Sequence, residues 1–175
     1  ITYDSIGVGA GSGSNFKAMN IAKFGEGRQN AKDYIEYQGF NAGSSVKNPD
    51  GYYGDPDDKI KNKDHLSNAK AQDWWRIADM FRNTYNAVNG KPYDTDNIIA
   101  ISSDCQHLDK LKTELSTPRR DFDTSGKVKV ESKKDLSARD VKSPNLADAF
   151  IMAYMNEAES TGHSGVYVPS RKRAR

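Results

Sequence analysis

The stretch Ile1-Thr-Tyr-Asp4-Ser-Ile-Gly-Val-Gly-Ala-Gly11 opens the chain and decides the predicted architecture. Residues 1–3 are β-prone, Asp4 ends this short strand, and the alternating glycines that follow are typical of a turn. Apolar residues then recur at helical spacing over residues 16–24, which predicts an amphipathic helix. The predicted order is strand, glycine turn and helix, with a carboxylate at the strand end.

A second informative stretch, Ser143-Pro-Asn-Leu-Ala-Asp148-Ala-Phe150, lies near the other end. Ser143 is predicted to cap a helix whose first residue is Pro144, where the missing N–H of proline is tolerated. Asp148 lies about one turn further on, beside apolar neighbours, where a carboxylate needs a positive partner. Its alternative role is that of a partly exposed polar residue at the edge of the buried face.

Asp4 and Asp148 together predict a metal site. A carboxylate at a strand end that faces a carboxylate on a helix suits a hard cation such as Mg²⁺, which binds one or two carboxylates, waters and phosphate oxygens. This pairing points to phosphodiester chemistry. Taken alone, Asp4 has a second interpretation, because aspartate at a strand end often hydrogen-bonds the following turn.

Further elements follow from periodicity and turn residues. The longest is a helix over residues 67–88, whose apolar residues repeat at steps of three and four. The remaining segments are predicted as a strand at 34–40, a polar loop rather than core at 41–63, a buried strand at 97–101, a helix at 106–115, and a hairpin at 119–131 that turns at 123–126.

Composition predicts one domain with a basic end. The 175 residues include 26 Lys and Arg against 24 Asp and Glu, for a net charge of +2. Four cations and no acid lie in residues 160–175, which predicts a flexible basic C-terminal tail after a near-neutral body. Its cations, Arg171, Lys172, Arg173 and Arg175, are candidates for docking to DNA or to another assembly component. The single Cys105 and the lack of an apolar run of ~20 residues favour a soluble protein of a reducing compartment, with no membrane partner.

In combination, the two aspartate motifs resemble the nuclease domain of the large terminase subunit of tailed bacteriophages. In that family a strand ends in Asp before a Gly-Val-Gly-Ala-Gly turn, and a Ser-Pro-Asp-x-Ala-Asp-Ala motif starts a late helix. Two intervening segments, residues 68–75 and 131–139, are similar in the same order. The resemblance extends from residue 1 to about residue 154.

The resemblance implies an α/β fold of the RNase H-like (resolvase/integrase) type, a mixed central sheet flanked by helices, over residues 1–159. It implies that Asp4 and Asp148 bind Mg²⁺ or Mn²⁺ in a two-metal site, with ions ~3.5–4 Å apart. The family's first catalytic aspartate lies on an earlier strand, which we expect to be absent from this chain. Asn145 stands where the family's last motif has an acid.

The resemblance also implies a role. The domain would cut concatemeric double-stranded DNA when genome packaging begins and ends, in the cytoplasm of an infected bacterial host. Implied partners are double-stranded DNA, the terminase ATPase domain of the parent polypeptide, the portal protein and the terminase small subunit. Two alternatives remain: a non-catalytic DNA- or portal-docking module that retains the nuclease fold, and a resolvase- or transposase-like enzyme.

Basic residues near the second motif and on the hairpin are candidate phosphate contacts. A solvated charged surface is the alternative for both groups. The candidates are Lys133, Arg139 and Lys142 before the last helix, and Arg119, Arg120, Lys127 and Lys129 on the hairpin.

Overall fold

The first elements of the chain bring Asp4 beside a second strand. The structure, a computed structural model, describes residues 1–27, 29, 31–53 and 60–154 and the backbone of 166–167. It begins with β1 (Thr2–Asp4), a 3₁₀ helix (Gly7–Gly11), α1 (Ser12–Phe24) and β2 (Gln38–Phe40). Strand β2 runs parallel to β1, with Phe40 opposite Asp4. The strand predicted over residues 34–40 is therefore formed only at its end.

Helix α1 differs from its prediction in its start and in its buried face. It begins at Ser12 rather than at residue 16, because the glycines before it form a helical turn instead of irregular chain. Its buried residue is the polar Asn20. The Asn20 amide donates to the Ile35 carbonyl and accepts from the Ile35 N–H, each at 2.9 Å. These two bonds, rather than an apolar stripe, hold the incoming chain against α1.

The middle of the chain contains the longest helix. Its elements are α2 (Asn62–His65), α3 (Ala69–Val88), β3 (Tyr93–Asp94) and α4 (Leu108–Ser116). The side chain of Asn68 accepts the N–H of Ala71 at 2.9 Å, which caps the start of α3. This helix confirms the prediction over residues 67–88.

The predicted strand at 97–101 is wrong, although the segment is extended and partly buried. Its central residue, Ile99, is buried but pairs with no strand in the described chain. Instead the Ile99 N–H donates to Thr84 Oγ1, and the Thr84 hydroxyl donates to the Ile99 carbonyl, each at 2.9 Å. A side chain of α3 thus satisfies backbone groups that a neighbouring strand would otherwise bind.

The last elements include the predicted hairpin. They are β4 (Arg120–Phe122), β5 (Val128–Val130), α5 (Lys133–Ala138), α6 (Asn145–Tyr154) and β6 (Val166–Tyr167). Strands β4 and β5 are antiparallel, and Asp123 Oδ1 accepts the N–H groups of Ser125 and Lys127 in the turn. Among the described residues the sheets are the pairs β1–β2, β3–β6 and β4–β5. They form a mixed α/β structure, and these pairs do not join into the single central sheet that we expected.

Helices α3 and α6 share the main core. Its buried residues are Trp74, Ile77, Ile99, Ala147 and Ile151. A second cluster contains Val46, Leu66, Ala71 and Val128, so Val46 contributes to the core although the polar loop at 41–63 was predicted to lie outside it. Within the described part of the chain, no helix is long and apolar enough to cross a membrane.

Glu131 and Arg139 form an ion pair beside the hairpin. Arg139 donates from Nε to Glu131 Oε1 at 2.8 Å and from Nη2 to Oε2 at 2.7 Å. The Arg119 N–H also donates to Oε2, at 3.0 Å. The hydrogen bond from Arg139 is the main reason why the pKa of Glu131 lies below its ordinary value of 4.5.

This ion pair predicts that the stability of the fold decreases at acidic pH. Because the folded-state pKa of Glu131 is lowered, its contribution to stability is fully present above pH 4.5 and is lost as the pH falls through the lower folded-state pKa. We expect the wild type to lose more unfolding free energy than Glu131→Gln between about pH 5 and about pH 3. Urea unfolding of both proteins across this pH range measures the two free energies of unfolding. Equal losses of unfolding free energy in the wild type and in Glu131→Gln would contradict the prediction.

Candidate metal centre

Asp4 and Asp148 line the same cleft. The cleft has a volume of about 100 Å³ and lies where the end of β1 meets the first turn of α6. Its walls include Phe40, Trp74 and the two lysines Lys70 and Lys133. The structure therefore brings together the two carboxylates that the sequence singled out.

Asp4 both supports its turn and presents an oxygen to its surroundings. Its Oδ1 accepts the N–H of Ile6 at 3.0 Å, as the turn interpretation predicts. Among the described residues, its Oδ2 has no hydrogen-bond or ion-pair partner. The turn bond fixes the carboxylate without using both of its oxygens.

One glycine of the motif, Gly9, is explained by its close approach to Asp4. A Cβ atom at Gly9 would lie 1.9 Å from the Asp4 carbonyl oxygen, a distance that no packing allows. Glycine at this position lets the 3₁₀ helix fold back over the end of β1. Gly11, in contrast, has open space where its Cβ would lie.

These two glycines give a matched pair of variants. We expect Gly9→Ala to lower the free energy of unfolding by about 1–3 kcal/mol, as overpacking does, and to displace Asp4. Gly11→Ala should leave stability within about 0.5 kcal/mol or raise it, since alanine favours helix. Urea unfolding measures both, and equal losses in the two variants would contradict the proposed contact.

Asp148 is held by two cations of different exposure. Lys70 Nζ lies 2.9 Å from Oδ1, with side-chain exposures of 24% for Lys70 and 22% for Asp148. Lys133 Nζ lies 3.8 Å from Oδ2, and the Lys133 side chain is 62% exposed. The first turn of α6 also favours a negative charge, through the helix dipole. Asp148 thus has the positive surroundings that its apolar neighbours require.

Glu114 anchors the helix that carries Asp148. From α4 its Oε2 accepts the N–H groups of Leu146 at 2.7 Å and of Ala147 at 3.1 Å. These amides belong to the first turn of α6 and have no partner within the helix. The contact fixes α6, and with it the carboxylate, relative to α4.

The chemistry of this donor set fits a hard divalent cation. Two carboxylates border one cleft, and such ions bind one or two carboxylates together with water and substrate phosphate oxygens. The described residues contain no group of three or more His, Cys, Asp or Glu side chains placed to hold a metal. Asp4 and Asp148 would therefore be a partial, open ligand set rather than a closed cage.

Among the basic residues predicted before the last helix, only Lys133 lines the cleft. Arg139 is instead engaged by Glu131. Lys142 is exposed and lies at a different cavity, of about 270 Å³, between α4 and the start of α6. Of these three candidate phosphate contacts, Lys133 is therefore the one that lies at the cleft with Asp4 and Asp148.

The hairpin residues also differ among themselves. Lys129 pairs with Asp121 at 3.0 Å. The Arg120 guanidinium lies 5.8 Å from the Trp75 ring centroid and 3.2 Å from His65 Nε2. Arg119 is exposed and Lys127 half-buried.

The tail cations Arg171, Lys172, Arg173 and Arg175 lie outside the described residues.

Comparison with solved structures identifies the class of fold. This chain is a structural relative of the nuclease domains of bacteriophage large terminase subunits. The nuclease domain of the large terminase subunit gp2 of bacterial virus Sf6 matches with a TM-score of 0.70 and 27% sequence identity. The match covers 86% of this chain and 62% of that one.

Two further matches are structures of a mutant of the same Sf6 domain. One, with manganese, has a TM-score of 0.70 at 26% identity and covers 86% of this chain and 63% of that one. The other, with manganese and beta-thujaplicinol, has a TM-score of 0.71 at 26% identity, with coverages of 86% and 62%. Neither protein-family models nor curated protein sequences give a match. The chain spans less than two thirds of the length of these neighbouring chains.

Proposed function

We propose that this chain is the metal-dependent endonuclease domain of a viral terminase. The observation that carries the proposal is the meeting of Asp4 and Asp148 in one cleft. The fold supports it, because neighbouring structures are terminase nuclease domains, some with manganese or calcium. The manganese and calcium ions belong to the neighbouring structures, and metal binding by this chain is part of the proposal.

In the proposed site the two aspartates would hold Mg²⁺ or Mn²⁺ in the cleft that they both line. Such ions activate water and neutralise charge on a phosphodiester, and in two-metal sites they lie ~3.5–4 Å apart. Asp4 is positioned by its turn bond, and Asp148 by Lys70 and by the anchored start of α6. Lys133, which lines the cleft and has a side chain 62% exposed, would contact a phosphate oxygen of the substrate.

The wider assignment rests on the relationship to terminases. The proposed substrate is concatemeric double-stranded DNA, cut at initiation and termination of genome packaging in the cytoplasm of the infected host. The proposed partners are the terminase ATPase domain, the small subunit and the portal protein. We further propose that the described pairs of strands belong to an RNase H-like sheet, and that the tail docks to DNA or portal.

A nicking assay separates the nuclease from the docking module. We expect the chain to nick supercoiled plasmid DNA in the presence of Mn²⁺, and to stop when EDTA removes the metal. Truncation before Arg171 should leave nicking within about threefold in low salt, because the tail supplies only salt-dependent phosphate contacts. A protein that binds DNA but never nicks it, and loses binding with the tail, would support the docking module instead.

A further inference from the structure

Lys70, which lines the cleft, has contacts with three neighbours. Its backbone N–H donates to the Ala42 carbonyl at 3.2 Å. Its ammonium lies 5.4 Å from the centroid of the Trp74 ring, a cation–π contact. The same ammonium donates to Asp148 Oδ1 at 2.9 Å. These contacts hold the Lys70 side chain in one position beside Asp148.

This ion pair differs from the surface pairs of the chain. In the Lys70–Asp148 pair about three quarters of each side chain is shielded, with exposures of 24% and 22%. In the Lys112–Asp109 pair the distance is 3.4 Å and the exposures are 63% and 98%. Attraction between charges is stronger and less screened by salt where water is excluded. The attraction between Lys70 and Asp148 is therefore less screened by water than that of an exposed surface pair.

We propose that Lys70 is the internal counter-ion of the metal centre, which a divalent cation must displace from Asp148. The inference rests on the proposed function, in which Asp148 is a metal ligand. A metal bound at ~2.0–2.6 Å from a carboxylate oxygen lies within a few ångströms of an ammonium hydrogen-bonded to the same carboxylate. The two positive charges repel, so Lys70 lowers metal affinity while it stabilises the metal-free site.

The displaced ammonium has a second partner in the proposed reaction. Lys70 lines the cleft and is tethered to α3, so an ammonium that leaves Asp148 stays beside the site where the phosphodiester would bind. Lysine binds phosphate oxygens as a point charge. Metal binding would thus release a cation for the DNA phosphate, and by linkage DNA would strengthen metal binding by the same factor.

Titration of the full chain with Mn²⁺ alone, by calorimetry, tests this role. We expect Lys70→Met, which keeps the apolar stem on Trp74, to bind Mn²⁺ about tenfold more tightly than the wild type. Lys112→Met removes the same charge from an exposed pair and should change the affinity by less than about twofold. The rise in Tm that saturating Mn²⁺ produces should also be larger for Lys70→Met than for the wild type.

The possible outcomes distinguish this inference from the proposed function. If the wild type binds Mn²⁺ and both Lys70→Met and Lys70→Gln bind it no more tightly, the counter-ion role is wrong while the metal centre stands. If neither the wild type nor the two Lys70 variants bind Mn²⁺, the metal centre and the counter-ion role both fail, whereas binding by the Lys70 variants alone would support the counter-ion role. Lys70→Gln is included because it keeps a hydrogen-bond donor toward Asp148 if the methionine variant does not fold.

Discussion

Asp148→Asn is expected to abolish metal-dependent DNA cleavage. The nicking rate in Mn²⁺ should fall by at least about a hundredfold, because a metal ion contributes several kcal/mol of transition-state stabilisation and each ~1.4 kcal/mol is a tenfold change in rate. The variant keeps the size of the side chain and its place in the first turn of α6. The measurement is the initial rate of conversion of supercoiled to nicked plasmid.

Asp109→Asn is the matched control for this variant. Asp109 also lies in the first turn of a helix and also pairs with a lysine, but its side chain is 98% exposed and is not among those that line the cleft. We expect its nicking rate to stay within about twofold of the wild type, as for a surface pair. Thermal unfolding in metal-free buffer shows whether each variant is folded. A folded Asp148→Asn protein that cuts at more than half of the wild-type rate would contradict the assignment.

Ile151→Ala is expected to cause a large loss of stability. Ile151 is 3% exposed in the core that joins α3 to α6, and it also lines the cleft. Truncation of a buried isoleucine costs the lost burial and leaves a cavity, so the free energy of unfolding should fall by about 2–4 kcal/mol. Because α6 carries Asp148, the same variant should bind Mn²⁺ more weakly. Urea unfolding and Mn²⁺ titration measure the two effects.

Ile98→Ala provides the control for the chemistry of this substitution. Ile98 is 48% exposed, and it lies outside the buried cluster that contains Ile151. Its truncation should cost less than about 1 kcal/mol. If the two variants lost equal stability, the core described between α3 and α6 would not be the one that holds the fold together.

Local signals explain which elements were predictable. Helix α3 has an apolar repeat over five turns and a cap at Asn68, and both signals lie within the helix itself. The hairpin was predictable for the same reason, because Asp123 and Gly126 supply its turn chemistry locally. Periodicity and turn residues are thus sufficient where an element is specified by its own sequence.

Elements that depend on distant contacts were predicted less well. The run at 97–101 reads as a strand, but its backbone is bound by Thr84, fifteen residues earlier in α3. Residues 7–11 are a different case, because glycines have low helix propensity and yet these residues form a 3₁₀ helix in which Gly9 lies close to the Asp4 carbonyl. In both cases a specific contact accompanies a departure from the average preference of the residue types.

In the candidate site, too, some residues could be identified from their own segment of sequence and others could not. Asp4 and Asp148 could be singled out because each carboxylate is anomalous in its own segment. Lys70 and Glu114 could not, since their partners lie 78 and 32 residues away and nothing in the neighbouring sequence indicates them. The two carboxylates could therefore be proposed from the sequence, whereas their neighbours in the cleft required the structure. That Asp4 and Asp148 bind a metal stays a prediction.

The most direct test of the metal centre is a crystal structure of the chain soaked in Mn²⁺, with the ion located by its anomalous scattering. We predict an anomalous peak in the cleft, ~2.0–2.6 Å from a carboxylate oxygen of Asp4 and of Asp148, with Lys70 moved away from Asp148. Carboxylates more than about 10 Å apart with no metal between them would contradict the central claim, because ligands at that separation cannot share an ion or a close ion pair.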